Sequence, residues 1–307
     1  MRTFLFFTRE YPELAKAESK SLARRVLEDG KGYMVAEFED CSYNRLVMTK
    51  FAGELLYEGT SLDGLDLPEF TSFAVRCTKM GKLSSTGIEK KVGAQVKGKA
   101  NLKKPETIIR VFSDGKKHFV TRQVCEYSEK ALSCRKVNAR PFYHPTSLQP
   151  KWARLLLNLS GVKKGKILDP FCGAGGILLE AGVIGLKAVG VDKDEAMVEG
   201  AKENLWFFRV DKQCKVEQAD FFEWKGGKFD CIVTDLPYGR SSQLFGKELN
   251  VLYAQAFEKM REHSKKAVVM GPCNLTGMLD KSGWSVEKTF DFYVHKNLRR
   301  WIHEVEV

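Results

Sequence analysis

Lys166-Ile167-Leu168-Asp169-Pro170-Phe171-Cys172-Gly173-Ala174-Gly175-Gly176 is an apolar strand that runs straight into a glycine-rich turn. Further apolar runs at 188–192, 214–220, 229–236 and 267–271 read as strands. Between them lie helical patterns at 176–184, 195–208 and about 244–263. Short apolar runs separated by amphipathic helices predict a parallel, doubly wound sheet. The last two runs, 286–294 and 301–307, are joined only by His295 to Arg300. That connection is too short for a helical crossover and predicts an antiparallel hairpin.

Five parallel strands closed by such a hairpin give an α/β, seven-stranded, Rossmann-like methyltransferase arrangement, whereas a nicotinamide dehydrogenase would continue with another crossover helix. Gly173, Gly175 and Gly176 let the backbone turn tightly and approach a ligand at the carboxyl edge of the sheet. The loop thereby assigns Asp169, Pro170, Phe171, Gly173, Ala174 and Gly175 to a nucleoside cofactor. Asp192, at the end of the second strand, suits the two ribose hydroxyls. Asp220, at the end of the third, suits an adenine amine, with Phe221 beside the ring, and Asp169 suits an ammonium. Three carboxylates would repel a pyrophosphate and favour a cationic, phosphate-free cofactor, S-adenosylmethionine. Taken singly, each acid could equally be a cap on the following helix.

Asp235-Leu236-Pro237-Tyr238 closes the fourth strand and is the candidate catalytic motif. An exocyclic amine on a purine is a poor nucleophile because its lone pair is delocalised into the ring. The Asp235 carboxylate and the Leu236 carbonyl could each accept one N–H, turning the lone pair toward a methyl donor, while Tyr238 stacks on the unstacked base. Alignment, with no strong base, would supply the catalysis.

The 307 residues carry a net charge of +11 and are 43% hydrophobic, enough for two or three packed domains. Residues 76–122 hold thirteen Lys and Arg against three acids, nearly the whole excess, whereas 151–307 is close to neutral with twenty-four against twenty-one. Such concentration marks a phosphate-backbone binder, with a solvated lysine-rich face as the plainer alternative. The N-terminal half reads as two α+β units. The first has strands at 3–8, 33–39 and 45–49, a helix at 12–28 and a helix-like run at 52–57. The second has strands at 70–78, 107–112 and 118–126, a helix from Ser85 to about Lys97 capped by Ser84 or Ser85, and a turn at Ser113-Asp114-Gly115. Lys90, Lys91, Lys97, Lys103 and Lys104 lie on that helix and the loop after it, placed to follow a curved RNA backbone by shape. Pro141, Pro145 and Pro150 make 138–150 an extended, stiff joint. The eight cysteines form no CxxC pair, so no metal site is expected, and mostly buried free thiols are. No apolar run approaches the roughly 18 residues of a membrane span, and Arg9 and Glu10 follow Met1 to Phe7 where a cleavage region would stand, so a cytoplasmic protein is expected.

The DPFCGAGG loop (169–176), DLPYGRS (235–241) and RPFYHPTSL (140–148) resemble the archaeal tRNA guanosine-10 N2-methyltransferases. Asn101-Leu102-Lys103-Lys104-Pro105-Glu106-Thr107 likewise resembles a THUMP pattern, so the similarity covers nearly the whole chain. The resemblance implies a ferredoxin-like subdomain at 1–58, a THUMP RNA-binding domain at 59–136, a linker at 137–150 and the methyltransferase domain at 151–307. It implies N2-methylguanosine at position 10 as product, recognition of the tRNA 3′ CCA end by the THUMP domain, and His144, Pro145 and Thr146 near the cofactor or base. A monomer is expected, with an accessory subunit left open. Leu236 stands where the family usually has proline, which leaves open whether one or two methyls are added. A THUMP-bearing enzyme for another tRNA or rRNA guanosine, an amine methylase acting on DNA adenine or a protein glutamine, and a noncatalytic RNA-binding protein are the alternatives; the basic half would be superfluous for the second, and the intact Asp169, Asp192, Asp220 and Asp235 set speaks against the third.

Overall fold

The computed structural model describes residues 1–80, 86–114, 116–127, 130–238, 247–295 and 298–307. They form two compact units, one of residues 1–44 and 48–127, the other of 45–47 and 128–307.

The first unit runs β1 (Arg2–Phe7), α1 (Pro12–Leu22), β2 (Arg25–Gly30), β3 (Tyr33–Glu37), β4 (Thr49–Gly59), β5 (Phe70–Lys79), α2 (Thr86–Gly93), β6 (Gly98–Ala100), β7 (Thr107–Ser113) and β8 (His118–Glu126). Among the described residues one sheet contains all eight strands, in the order β2-β3-β1-β4-β8-β7-β5-β6. Where the sequence predicts a strand at 45–49 and a helix-like run at 52–57, the single long strand β4 forms. It pairs antiparallel with β1 on one side and β8 on the other. Ala52, Glu54, Leu55 and Leu56 favour helix locally, and pairing on both edges overrides that preference. The predicted helix at 12–28 stops at Leu22. Beyond it, Gly32 at φ +84° turns the chain between β2 and β3, so 25–30 is an edge strand. On α2, Val92 is buried and Ile88 packs beside it on a core of Phe73, Val75 and Ile109, while Lys90 and Lys91 face water. Ser84, Ser85 and Gly115 lie outside the described residues.

The second unit contains α3 (Lys130–Ser133), α4 (Pro150–Leu159), β9 (Lys166–Asp169), α5 (Gly176–Val183), β10 (Lys187–Asp192), α6 (Glu195–Phe207), β11 (Cys214–Gln218), β12 (Cys231–Asp235), α7 (Lys247–Arg261), β13 (Lys266–Gly271), α8 (Thr276–Lys281), β14 (Ser285–His295) and β15 (Leu298–Glu306). Its seven described strands are ordered β11-β10-β9-β12-β13-β15-β14; the first five are parallel, β15 runs antiparallel to β13, and β14 pairs antiparallel with β15, as the hairpin reading requires. The order reverses between β9 and β12, where ligands bind in open α/β sheets. Helices α4 and α8 are additions to the sequence reading. Pro150 starts α4 at its first turn, and Leu155, Leu156, Leu157 and Leu159 bury its inner face. No helix among the described residues is long and apolar enough to cross a membrane. All eight cysteines are free, but only Cys172, Cys214 and Cys231 are buried, fewer than expected; Cys41, Cys134 and Cys273 are exposed.

Glu180, fully buried on α5, accepts from Arg135 Nε at 2.7 Å and from Arg154 Nη2, fastening the segment after α3 and helix α4 to the helix behind the glycine loop. Removing one member of a buried ion pair typically costs about 3–5 kcal/mol. Glu180→Ala is therefore expected to lower the unfolding free energy of this unit by that amount, read from the denaturant midpoint at constant slope.

Candidate active site

β9, β10 and β12 deliver Asp169, Asp192 and Asp235 to one edge of the sheet. Asp169 is only 2% exposed. Its Oδ1 accepts from Thr234 Oγ1 at 2.8 Å and from the Phe171 amide at 3.3 Å. Burial outweighs these donors and pushes its carboxyl up to about 7. The turn that follows has Gly173 at φ +48° and Gly175 at φ +76°, conformations that favour glycine. A Cβ at Gly175 would stand 3.1 Å from the Ala201 Cβ on α6, whereas at Gly173 it would meet nothing within 4 Å, so the loop is open on that side. Pro170 and Ala174 are buried, and Phe171 is half-buried.

Asp192 is tied to this loop directly: its Oδ2 accepts from the Gly173 amide at 2.8 Å and its Oδ1 from the Asp194 amide at 3.0 Å. The cap on α6 is Asp194, which accepts from the Ala196 and Met197 amides, so Asp192 is not spent on the helix. Asp220 lies two residues past the end of β11, exposed, with Oδ1 accepting from the Phe222 amide. Phe221 is 3% exposed and sits in the core, edge-on to Phe171 at 5.7 Å and beside Trp224 and His263. A buried carboxylate with no cation beside it among the described residues, an open glycine turn and a second carboxylate bound to that turn together fit a cationic nucleoside cofactor.

The linker reaches the same loop through residues that sequence reasoning did not single out. Asn204 on α6 donates to the Ala174 and Phe142 carbonyls and accepts from the Phe142 amide. Arg140 donates to the Arg135 and Leu148 carbonyls, and its Nη1 lies 3.2 Å from where a Cβ on Gly176 would stand. His144 and Thr146 bond to each other, Nδ1 to Oγ1 at 2.7 Å, in a local turn.

In the catalytic motif, the Asp235 side chain is 13% exposed and both its oxygens accept from Arg300 Nη2, at 2.5 and 2.6 Å. Burial raises its carboxyl to about 6 although Arg300 pulls it down. The Arg300 guanidinium lies over the Tyr238 ring, 3.5 Å from its centroid. Pro237 O accepts from Tyr253 OH at 2.6 Å, pinning the turn to α7. The N–H that Leu236 has and a proline would lack donates to Met270 O at 2.9 Å, extending the ladder to β13. Arg300 was missed because it falls in a polar stretch read only as a hairpin connection; an arginine two strands from a buried aspartate leaves no local signal. Gly239, Arg240 and Ser241 lie outside the described residues.

In the first unit, Lys90, Lys97, Lys103 and Lys104 are exposed and form no ion pair among the described residues, whereas Lys91 is bound to Asp63 at 2.7 Å. Asn101 Oδ1 accepts from the Lys103 and Lys104 amides, so the backbone of that loop is fixed while its amines are free.

Residues 137–300 match the family described as RMKL-like, methyltransferase domain. A second family, described as DNA methylase, matches 69–203, a span that ends before Asp235. A tRNA (guanine(10)-N2)-dimethyltransferase of Methanothermobacter thermautotrophicus is 33% identical over all of this chain and 99% of its own length. One from Pyrococcus abyssi is 34% identical over 96% of each. Among solved structures, TrmN from Thermus thermophilus aligns over all of both chains with TM-score 0.54 at 18% identity, a likeness of fold. Replacing Leu236 with Pro is expected to cost about 1–3 kcal/mol of stability, because the buried Met270 carbonyl loses its donor; thermal unfolding of the variant measures it.

Proposed function

The chain belongs to the archaeal tRNA (guanine(10)-N2)-dimethyltransferases, and from that membership and the site geometry we infer that it places first one and then a second methyl on N2 of guanosine 10 in tRNA. It is an S-adenosylmethionine-dependent methyltransferase. The observation that carries the assignment of residues is the meeting of Asp169 and Asp235 at adjacent strand ends, one carboxylate with no cation among the described residues and the other holding one.

S-adenosylmethionine supplies an electrophilic methyl on a sulfonium centre. Asp169 takes the ammonium, Asp192 the ribose hydroxyls and Asp220 the adenine amine; Pro170, Phe171, Gly173, Ala174 and Gly175 form the cradle, with His144 and Thr146 around it and Phe221 backing Phe171 from the core. Asp235 and the Leu236 carbonyl each accept an N–H of the guanine amine, and Pro237, pinned by Tyr253, holds Tyr238 as the stacking surface. N2 gains a methyl and sheds a proton, which Asp235 is placed to accept. Lys90, Lys97, Lys103 and Lys104, with Lys91 once released from Asp63, contact phosphates. The unit that carries them acts as a ferredoxin-like subdomain (1–58) and THUMP domain (59–136) holding the 3′ CCA end, in a cytoplasmic, monomeric enzyme. Residues 137–150 link it to the catalytic domain, 151–307.

Mass-spectrometric nucleoside mapping of unmodified tRNA incubated with the chain and cofactor is expected to show N2-methylguanosine and then N2,N2-dimethylguanosine at position 10; methylation elsewhere would change the target, and none would end the assignment. A transcript lacking the CCA end is expected to react more slowly. Asp235→Asn is expected to reduce turnover by about 10²-fold through lost alignment, with cofactor affinity nearly intact. Below about 7 the Asp169 carboxyl is neutral and must lose its proton to pair with an ammonium. Cofactor affinity should therefore fall by up to about tenfold per pH unit as pH drops from 7 to 5 in calorimetry on the parent, and over a lower pH range in Asp235→Asn, where Asp169 loses a like charge beside it.

A further inference from the structure

Arg300 is 2% exposed on β15, and its described contacts converge on the catalytic motif. Nη2 serves both oxygens of Asp235, the guanidinium plane covers one face of Tyr238, and Nη1 has no partner among the described residues. A guanidinium this buried, with one carboxylate for counter-charge, is costly unless the pair is kept together. A carboxylate has about four lone-pair sites, and Arg300 occupies two of them, so acceptor capacity remains for an incoming amine. Opposite Arg300 in the hairpin stands Phe292, stacked on Trp152 of α4 at 4.0 Å, which backs the strand that carries it.

We propose that Arg300 is a positioning residue for methyl transfer, holding Asp235 as an oriented carboxylate and fixing the plane of Tyr238 so that its uncovered face receives the guanine. The proposal rests on the reading of Asp235 as the amine acceptor. Its two parts separate by chemistry: a lysine can replace the charge, but not the planar fork that both pairs and stacks. Among the described residues, the other groups facing Asp235 are Asp169 from β9, Tyr238 in its own turn and Tyr253 from α7, with Cys273 beside Tyr253. Both tyrosines are pushed up and stay neutral through the window, so Asp169 is the other group that titrates there. Saturating cofactor holds Asp169 ionised.

The test follows the Asp235 carboxyl by carbon NMR on aspartate-labelled full chain, assigned with Asp235→Asn, in parent, Arg300→Lys and Arg300→Met. Single-turnover methylation of tRNA at saturating cofactor is measured in parallel. Losing an adjacent cation raises a carboxyl by about 1–3 pH units, so Arg300→Met should titrate that much higher, with Arg300→Lys between it and the parent. The acidic limb of the rate should move with it, giving about a tenfold loss at pH 7 that largely recovers by pH 9. KM for tRNA should stay raised in Arg300→Lys even where its rate is restored. An Asp235 titration that does not move in either variant, or a loss equal at pH 7 and 9, overturns the proposal; an unchanged KM in Arg300→Lys overturns the part concerning Tyr238. Should Arg300→Met fail to fold, the Lys variant alone decides by the same criteria. A parent that shows the NMR shift pattern yet methylates no tRNA would instead overturn the assignment of function.

Discussion

Two carboxylates at the ends of adjacent parallel strands, Asp169 and Asp235, have to be buried side by side at the point where the sheet order reverses. Burial pushes both carboxyls up, to about 7 and about 6, and the charge of Asp235 adds to the rise of Asp169. The fold compensates them differently. Thr234, one residue before Asp235, gives Asp169 a neutral donor and leaves its charge for a cationic ligand. Arg300 gives Asp235 a fixed cation and leaves it an acceptor of N–H groups. On the proposed reading, unequal compensation of two similar groups lets a single sheet edge hold a cofactor and orient a nucleophile at once.

The antiparallel hairpin then acquires a chemical reason. β15 supplies Arg300 to the catalytic turn. Two strand positions beyond it, on the same face, Ile302 is followed by buried His303, whose Nε2 accepts from the Leu275 amide at 3.0 Å. Burial lowers His303 to about 4, so it remains a neutral acceptor holding the chain that leaves β13. A crossover helix in place of the hairpin would put neither residue there.

What was legible in the sequence was what single residues impose. Gly173 and Gly175 need their φ values, three aspartates at successive strand ends have few other uses taken together, and the six-residue connection at 295–300 forbids a crossover. What was not legible depended on partners remote in sequence. β4 reads as helix because its helical propensity is local while its two pairings, to β1 and β8, are not. Asn204 and Arg140 look like surface polar residues until Asn204 is seen to bond the linker to the glycine loop and Arg140 to hold the carbonyls of Arg135 and Leu148. The cap on α6 was assignable in principle, since Asp194 precedes Glu195, but Asp192 drew attention first.

Leu236 shows how a departure from the usual motif can be neutral to chemistry and still be structural. Proline at this position would restrict the backbone by its ring; here the restriction comes from a hydrogen bond to Met270, from burial of the side chain in the core beside Leu275, and from Tyr253 holding the next carbonyl. The Leu236 carbonyl thus leaves a turn fixed at the amide of Leu236 itself and at the carbonyl of Pro237 after it. The orientation that the proline ring would enforce covalently is supplied by the sheet and α7, which makes the precision of the acceptor a property of the packed domain and not of the four residues alone.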